Sequence, residues 1–240
     1  MQYKDGAISI ANNCFYIDSE LILNCNDRLH NYSRVPGHRI EDTGVKTISE
    51  LVIENSKLHK DLFCGTPNMV YQNACFLCDC IIADLFMHKG EPLKAAEIGC
   101  NNGLLTAHFA PLLSAFDPNA KYVCVSNTIG NESNNIWLDI ISQINTPEGF
   151  AFIASDFSET FLCDSFFELV VINGTTQLSD PIAVVKEAMR ITSENGHVLC
   201  LSSKNFILED AFYLFFDEIK EWRFRDGVTV MSAKGTDCWV

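Results

Sequence analysis

The feature that most constrains this sequence is a pair of glycines, four residues apart, at the end of an apolar segment that carries an acid: AAEIGCNNGLLT, residues 95–106. An apolar run, a glycine turn and a second apolar segment with helical spacing predict a buried strand, a tight turn and a helix. Because glycine has no Cβ, Gly99 and Gly103 would let the backbone approach a ligand closely. The unpaired N–H groups at the start of the helix would face the same place. The sequence therefore predicts a ligand site at the carboxyl end of a strand in an open α/β sheet.

The spacing of these glycines argues against two common phosphate-binding loops. A dinucleotide fingerprint needs glycine at its first, third and sixth positions, which here hold Gly99, Asn101 and Leu104. A Walker A loop needs Lys and then Ser or Thr after its last glycine, whereas Gly103 precedes Leu104 and Leu105. An NAD-dependent oxidoreductase is therefore only a weak alternative.

Length and charge narrow the function further. The 240 residues fit one large domain, or one domain with an extension, and 48% of them are apolar. The net charge is 17 − 31 = −14. A chain this acidic has no general electrostatic attraction for nucleic acid or for an anionic membrane. We therefore expect neither partner, and the charge permits a neutral or cationic substrate.

The sequence also favours a soluble, cytoplasmic protein. The N-terminus has no apolar signal-peptide region behind it, and Asp79, Asp84 and Asp217 interrupt the longest apolar stretches. These stretches are too short to span a membrane. The sequence does not predict an oligomeric state.

The 11 cysteines lie mostly among apolar neighbours, which is typical of small core residues and not of a disulfide framework. The cluster of Cys75, Cys78 and Cys80 contains a single Cys-x-x-Cys pair, and a structural zinc site usually needs two. These residues fall on a predicted apolar helix over 71–87. We expect core packing there and no metal.

From residue 94 onward, predicted strands and helices alternate, as in a parallel sheet covered by helices on both faces. The predicted strands are 94–98, 121–125, 150–154, 167–172 and 197–202, and a hairpin joins 222–225 to 228–233. The predicted helices are 105–116, 136–144, 181–189 and 207–219. Asp180 is the predicted N-cap of the third of these helices, with Pro181 at its first position. Residues 1–92 lack this alternation. They suggest a hairpin of 7–10 with 15–23, a polar loop over 27–42 and a helix over 47–60.

The loop pattern Glu-x-Gly-x-x-x-Gly resembles motif I of the class I S-adenosylmethionine-dependent methyltransferases, and the last 150 residues follow that family's order of elements. The resemblance implies a Rossmann-like, doubly wound α/β fold. Its seven strands would run in the order 3-2-1-4-5-7-6, with the last strand antiparallel. The methyltransferase-like domain would be residues 93–240, and residues 1–92 would be an N-terminal extension that forms a lid or substrate-binding region.

The resemblance also implies which residues bind S-adenosylmethionine. The loop would hold the methionine end, the end of the second strand the ribose, the turn after the third strand the adenine, and the end of the fourth strand would lie beside the acceptor. The implied cofactor-binding residues are Glu97, Gly99, Cys100, Asn101, Gly103, Ser126, Asn127, Asp156, Phe157 and Asn173.

Two features affect catalysis. Ser126 stands where the family has an acid for the ribose, and a neutral group binds a diol more weakly than a carboxylate. No core residue is an evident general base. The catalytic candidates are therefore Asn173, which could orient an acceptor, and His38 in the polar segment Asn31–Arg39, which could act as the base.

The main hypothesis is methyl transfer to a small molecule. The alternative is a methyltransferase-like binding or regulatory module without catalysis.

Overall fold

The computed structural model describes residues 8–11, 14–17, 20–24, 50, 53, 72–86, 92–100, 103–127, 142, 144–175, 178–203, 205–224 and 227–235. The first three strands, β1 (Ile8–Ala11), β2 (Cys14–Ile17) and β3 (Glu20–Asn24), form an antiparallel sheet. The predicted hairpin is therefore present, but the segment predicted as one strand over 15–23 is two strands. The predicted helix over 47–60 lies outside the described residues except at positions 50 and 53, which are both helical.

Seven strands form the central sheet: β4 (Lys94–Ile98), β5 (Lys121–Ser126), β6 (Gly149–Ala154), β7 (Phe167–Gly174), β8 (Thr192–Ser203), β9 (Lys220–Arg223) and β10 (Val228–Lys234). Their order is β6-β5-β4-β7-β8-β10-β9. The strands from β6 to β8 are parallel, and β10 is antiparallel to both of its neighbours. This confirms the predicted order 3-2-1-4-5-7-6 and the antiparallel last strand.

Helices cover both faces of the sheet. The helices α1 (Gln72–Phe86) and α2 (Leu104–Phe116) pack on one face, and α3 (Pro181–Ile191) and α4 (Phe206–Phe215) on the other. The helix predicted over 71–87 is α1, and its three cysteines are buried in the core as expected. The predicted helix over 136–144 lies outside the described residues apart from positions 142 and 144.

Local capping explains where the second pair of helices begins. The side chain of Asp180 accepts a hydrogen bond from the Ala183 N–H at 3.0 Å, and Pro181 occupies the first turn of α3. Asn205 caps α4 in the same way, through the Leu208 N–H at 3.1 Å. Helix α4 ends before the predicted residue 219, and Glu218 then takes a left-handed conformation with φ 49°.

Strand β8 begins earlier than predicted. The sequence indicates a turn at Asn195-Gly196, but β8 already starts at Thr192 and contains this segment as a bulge. Phe167 of β7 pairs with Thr192 of β8, and Leu169 of β7 pairs with His197 of β8. Between these two pairs β7 advances by two residues and β8 by five, so β8 contains 5 − 2 = 3 extra residues, which form the bulge. A Cβ on Gly196 would lie 2.9 Å from the Phe167 carbonyl oxygen, so only glycine fits this close approach.

Within the described residues, no helix has both the length and the apolar character needed to cross a membrane.

Candidate functional site

The carboxyl ends of four neighbouring strands meet at one edge of the central sheet. The backbone N–H groups of Gly99 and Cys100 both donate to the Val125 carbonyl, each at 3.0 Å, which ties the end of β4 to the end of β5. The Ser155 N–H donates to the Ser126 carbonyl at 2.9 Å and extends the connection to the turn after β6. On the other side, Ile98 pairs with Ile172 of β7. This edge is where open α/β sheets bind ligands.

The glycine loop has the conformation that its sequence predicts. Gly99 and Gly103 have φ values of 89° and 71°, in the left-handed region that other residues rarely adopt. The Gly103 N–H donates to the Cys100 carbonyl at 2.6 Å, which closes a tight turn. Gly103 is the N-cap of α2 and offers no capping side chain, so the first turn of the helix begins directly at the loop. Asn101 lies outside the described residues.

Glu97 is fully buried at the end of β4, beneath the loop. Its Oε2 accepts hydrogen bonds from Tyr122 Oη at 2.6 Å and Thr106 Oγ1 at 2.7 Å, with Cys124 Sγ at 3.9 Å. Burial raises the pKa of Glu97 to about 7, although these three donors each lower it. The carboxyl group therefore exchanges its proton near neutral pH.

The second oxygen of the same carboxyl group, Oε1, is buried and has no hydrogen-bond partner within the described part of the chain. A buried acceptor without a donor costs on the order of 1–3 kcal/mol, so such atoms are rare outside ligand sites. Because this oxygen is buried, a ligand can reach it only if the glycine loop shifts, and an N–H or ammonium group brought there would satisfy it. Together with the two glycines, this atom fits the amino-acid end of S-adenosylmethionine.

The end of β5 presents two adjacent polar residues with different accessibility. The side chain of Ser126 is fully buried, whereas Asn127 is exposed. Both were expected at the ribose, and Asn127 is the one whose amide a ligand at this edge could reach without a rearrangement of the core.

The turn after β6 contains Asp156 and Phe157. Asp156 is exposed, and its Oδ1 accepts hydrogen bonds from the Ser158 N–H at 2.8 Å and Ser158 Oγ at 2.5 Å, which hold its pKa below the usual range. Oδ2 has no partner among the described residues and stays available to a ligand. Phe157 is buried in the core on the face of α3 and α4.

A buried carboxylate on α3 fixes the loop that follows this turn. Glu187 Oε1 accepts hydrogen bonds from the Thr160 N–H at 2.8 Å and Oγ1 at 2.5 Å, and Arg190 donates to both of its oxygens. Burial raises the pKa of Glu187, but the hydrogen bonds from Arg190 and Thr160 outweigh it and hold the pKa below its usual range. Arg190 also pairs with Asp164 farther along the loop.

The end of β7 holds the last described site residue. Asn173 is buried, and its Oδ1 accepts hydrogen bonds from Thr175 Oγ1 at 2.5 Å and from the Thr175 N–H at 3.3 Å. These two bonds fix the amide at the end of β7, the strand that pairs with β4. The other catalytic candidate, His38, lies outside the described residues, together with the segment Asn31–Arg39.

Sequence reasoning missed the partners of the two buried acids, Glu97 and Glu187. A signal was available for Glu97, since a carboxylate inside an apolar strand must be hydrogen-bonded. Its donors come from the next helix and the neighbouring strand, Thr106 and Tyr122, and both positions interrupt otherwise apolar segments.

A second buried polar pair joins α1 to α2. His108 of α2 is fully buried, with Nε2 at 2.8 Å from Asp79 Oδ2 of α1. The cysteines around it on α1 are buried too, and burial holds the pKa of Cys78 well above its usual range. Within the described part of the chain, no group of three or more His, Cys, Asp and Glu side chains could hold a metal ion.

Solved structures share this architecture at low sequence identity. The CurJ carbon methyltransferase aligns with 79% of this chain and 61% of its own length, at a TM-score of 0.55 and 10% identity. Precorrin-6y C5,15-methyltransferase from Geobacter metallireducens GS-15 aligns with 73% of this chain and 96% of its own length, at a TM-score of 0.55 and 11% identity. The chain has the class I methyltransferase fold.

Other comparisons limit what this methyltransferase fold implies. The cyclase SpnF also aligns, over 69% of this chain and 82% of its own length, at a TM-score of 0.52 and 12% identity. The chain spans about three fifths of the CurJ structure, 61% of its length. No protein-family profile and no curated protein sequence matches the chain. The fold therefore leaves the function open, and the side chains of the site determine it.

Proposed function

We propose that this chain is an S-adenosylmethionine-dependent methyltransferase that acts on a small-molecule acceptor. The observation that carries the proposal is the orphaned, buried Oε1 of Glu97 beneath a glycine loop, on the first strand of a methyltransferase-type sheet. Cofactor and acceptor would meet at the carboxyl edge. The acidic net charge of −14 supports a neutral or cationic acceptor.

Each part of the cofactor has a candidate partner at this edge. Gly99, Cys100 and Gly103, together with Glu97, would hold the methionine end. Asn127 would hold the ribose hydroxyls with Ser126 behind it, and Asp156 would accept a hydrogen bond from the adenine amino group. The buried side chain of Phe157 would support the turn from below.

When bound, S-adenosylmethionine supplies an activated methyl group on a sulfonium centre. The protein then needs mainly to hold the acceptor in line with that group, which is an orientation effect. Asn173, fixed by Thr175, would orient the acceptor. An acceptor that must lose a proton also needs a base, and His38 of the N-terminal extension remains our candidate.

A second candidate function is ligand binding without methyl transfer. Among the described residues that end β4 to β7, none is His, Lys or Tyr, and the polar groups are mainly amides and hydroxyls. SpnF is a cyclase on the same fold.

One structural neighbour, from Clostridium thermocellum, is described as an rRNA methylase. RNA therefore belongs among the methyl acceptors to be tested.

The site can be tested by calorimetric titration with S-adenosylhomocysteine. Asn127→Ala should weaken binding about 5-fold, the loss of one hydrogen bond, and Asp156→Ala about 10-fold, because a charged acceptor contributes more. Asn119→Ala is the matched control, since Asn119 is exposed just before β5, at its other end. Equal affinity in Asn127→Ala and Asn119→Ala would place the ribose elsewhere.

Turnover separates the two candidate functions. Methyl transfer from labelled S-adenosylmethionine to a small-molecule extract supports the enzyme. Cofactor binding with no transfer to small molecules, protein or RNA supports the binding module. We also propose a cytoplasmic location, since seven of the cysteines, Cys75, Cys78, Cys80, Cys100, Cys124, Cys163 and Cys200, are free thiols, as is usual in a reducing compartment.

A further inference from the structure

A cavity of about 350 Å³ lies between α1 and the outer strands of the central sheet. Its floor is formed by strand residues that share the α1 face, where His197 of β8 pairs with Lys234 of β10 and Ser232 of β10 pairs with Lys220 of β9. Its size falls within the range of pockets that hold small organic ligands.

The floor of this cavity is basic although the chain is strongly acidic. Only 17 residues are Lys or Arg against 31 Asp or Glu, yet two lysines and a histidine meet here. The ammonium groups of Lys220 and Lys234 form no ion pair within the described residues. Two carboxylates also border the cavity, Asp84 on the α1 wall and Glu218 two residues before Lys220, so the lining as a whole carries both signs of charge. The strand residues of the floor itself include no acid, and an anionic group would bind there, between Lys220 and Lys234.

Most of the remaining surface of the cavity is apolar. The indole of Trp222, 4% exposed, lies on the strand side, and Ile81 and Leu85 of α1 face it across the cavity. An aromatic ring would bind well against these apolar side chains, because it buries a large apolar area with few rotatable bonds. We infer that this cavity is a binding site for a small aromatic anion.

This site is separate from the candidate methyl-transfer site. His197 pairs with Leu169, and Leu169 with Ala95, at the start of β4. Gly99 follows the end of β4, four residues after Ala95, which is about 13 Å at 3.3 Å per residue. A ligand in the cavity would therefore bind at the amino edge of the sheet, too far from the glycine loop to be the methyl acceptor, and the inference does not rest on the proposed function.

The test uses 2-naphthoate and its neutral analogue 2-naphthamide, with affinities measured by chemical-shift titration of the full-length protein. For 13 non-hydrogen atoms we expect a dissociation constant on the order of 1 mM. We expect 2-naphthoate to shift the resonances of β9 and β10, and the neutral amide to bind at least 3-fold more weakly.

Variants test whether the lysines provide the charge. Lys220→Met and Lys234→Met should each weaken 2-naphthoate binding roughly 3-fold, and the double variant roughly 10-fold, as for partly exposed ion pairs. Lys186→Met is the matched control, because Lys186 is exposed on α3, on the other face of the sheet. Saturating S-adenosylhomocysteine should leave the affinity for 2-naphthoate unchanged.

Three results would overturn the inference: no binding of 2-naphthoate, equal binding of the amide, or an undiminished affinity in the double lysine variant. If 2-naphthoate binds as expected but S-adenosylhomocysteine does not bind at all, the cavity site stands and the proposed function fails.

Discussion

Glu97→Gln should change how the stability of this protein depends on pH. Glu97 is fully buried at 0% exposure, and its pKa is about 7, against 4.5 for an ordinary glutamate. Between these values the folded state binds more protons than the unfolded state, so stability falls as pH rises. A pKa difference of one between two states corresponds to about 1.4 kcal/mol. The difference of about 2.5 between these two pKa values therefore corresponds to about 3 kcal/mol of stability.

Glutamine has nearly the shape of glutamate but does not titrate. Its carbonyl oxygen can still accept hydrogen bonds from Tyr122 and Thr106, which contact one oxygen of Glu97 in the parent. Urea unfolding of both proteins at pH 5, 6, 7 and 8 measures the effect. The variant should gain about 3 kcal/mol relative to the parent as pH rises from 4.5 to above 7. Glu148→Gln, at an exposed glutamate, is the control. Parallel stability curves for the parent and Glu97→Gln would refute the argument.

Three further predictions concern the glycine loop, the buried contact between His108 and Asp79, and the N-terminal extension. Gly99→Val, at a φ of 89°, should abolish S-adenosylhomocysteine binding in calorimetry while the far-ultraviolet circular dichroism spectrum stays unchanged; binding as tight as in the parent would place the pocket elsewhere. His108→Ala should cost about 1–3 kcal/mol in urea unfolding, since it removes the imidazole that lies 2.8 Å from the buried Asp79 carboxyl group, and an unchanged free energy of unfolding would show that this contact does not stabilise the fold. Deletion of residues 1–45 should spare cofactor binding but abolish methyl transfer, and methylation at the parent rate would exclude a role for Asn31–Arg39.

The sequence alone predicts those helices and strands whose positions are determined by local patterns. The apolar segment before the glycines predicts β4 at its observed bounds, and the Asp-Pro pair predicts the start of α3 through its cap. Strand order is not local, because the order of neighbours in a sheet depends on long-range pairing. That part of the prediction came from the family resemblance, and the structure confirms it.

Long-range contacts explain what could not be predicted. The bulge in β8 brings Gly196 close to the Phe167 carbonyl, and nothing near Gly196 in sequence encodes that contact. Likewise, Ser126 and Asn127 are equivalent by sequence, but only the second is exposed. Which of two adjacent polar residues reaches a ligand depends on the neighbouring strands and loops.

The most direct test of the central claim is a crystal structure of the protein with S-adenosylhomocysteine. The account predicts the homocysteine end over the Gly99–Gly103 loop, with its amino group directed to Glu97, the ribose at Asn127 and the adenine at Asp156. Ligand density at the amino edge of the sheet, or none at the loop under saturating ligand, would contradict it.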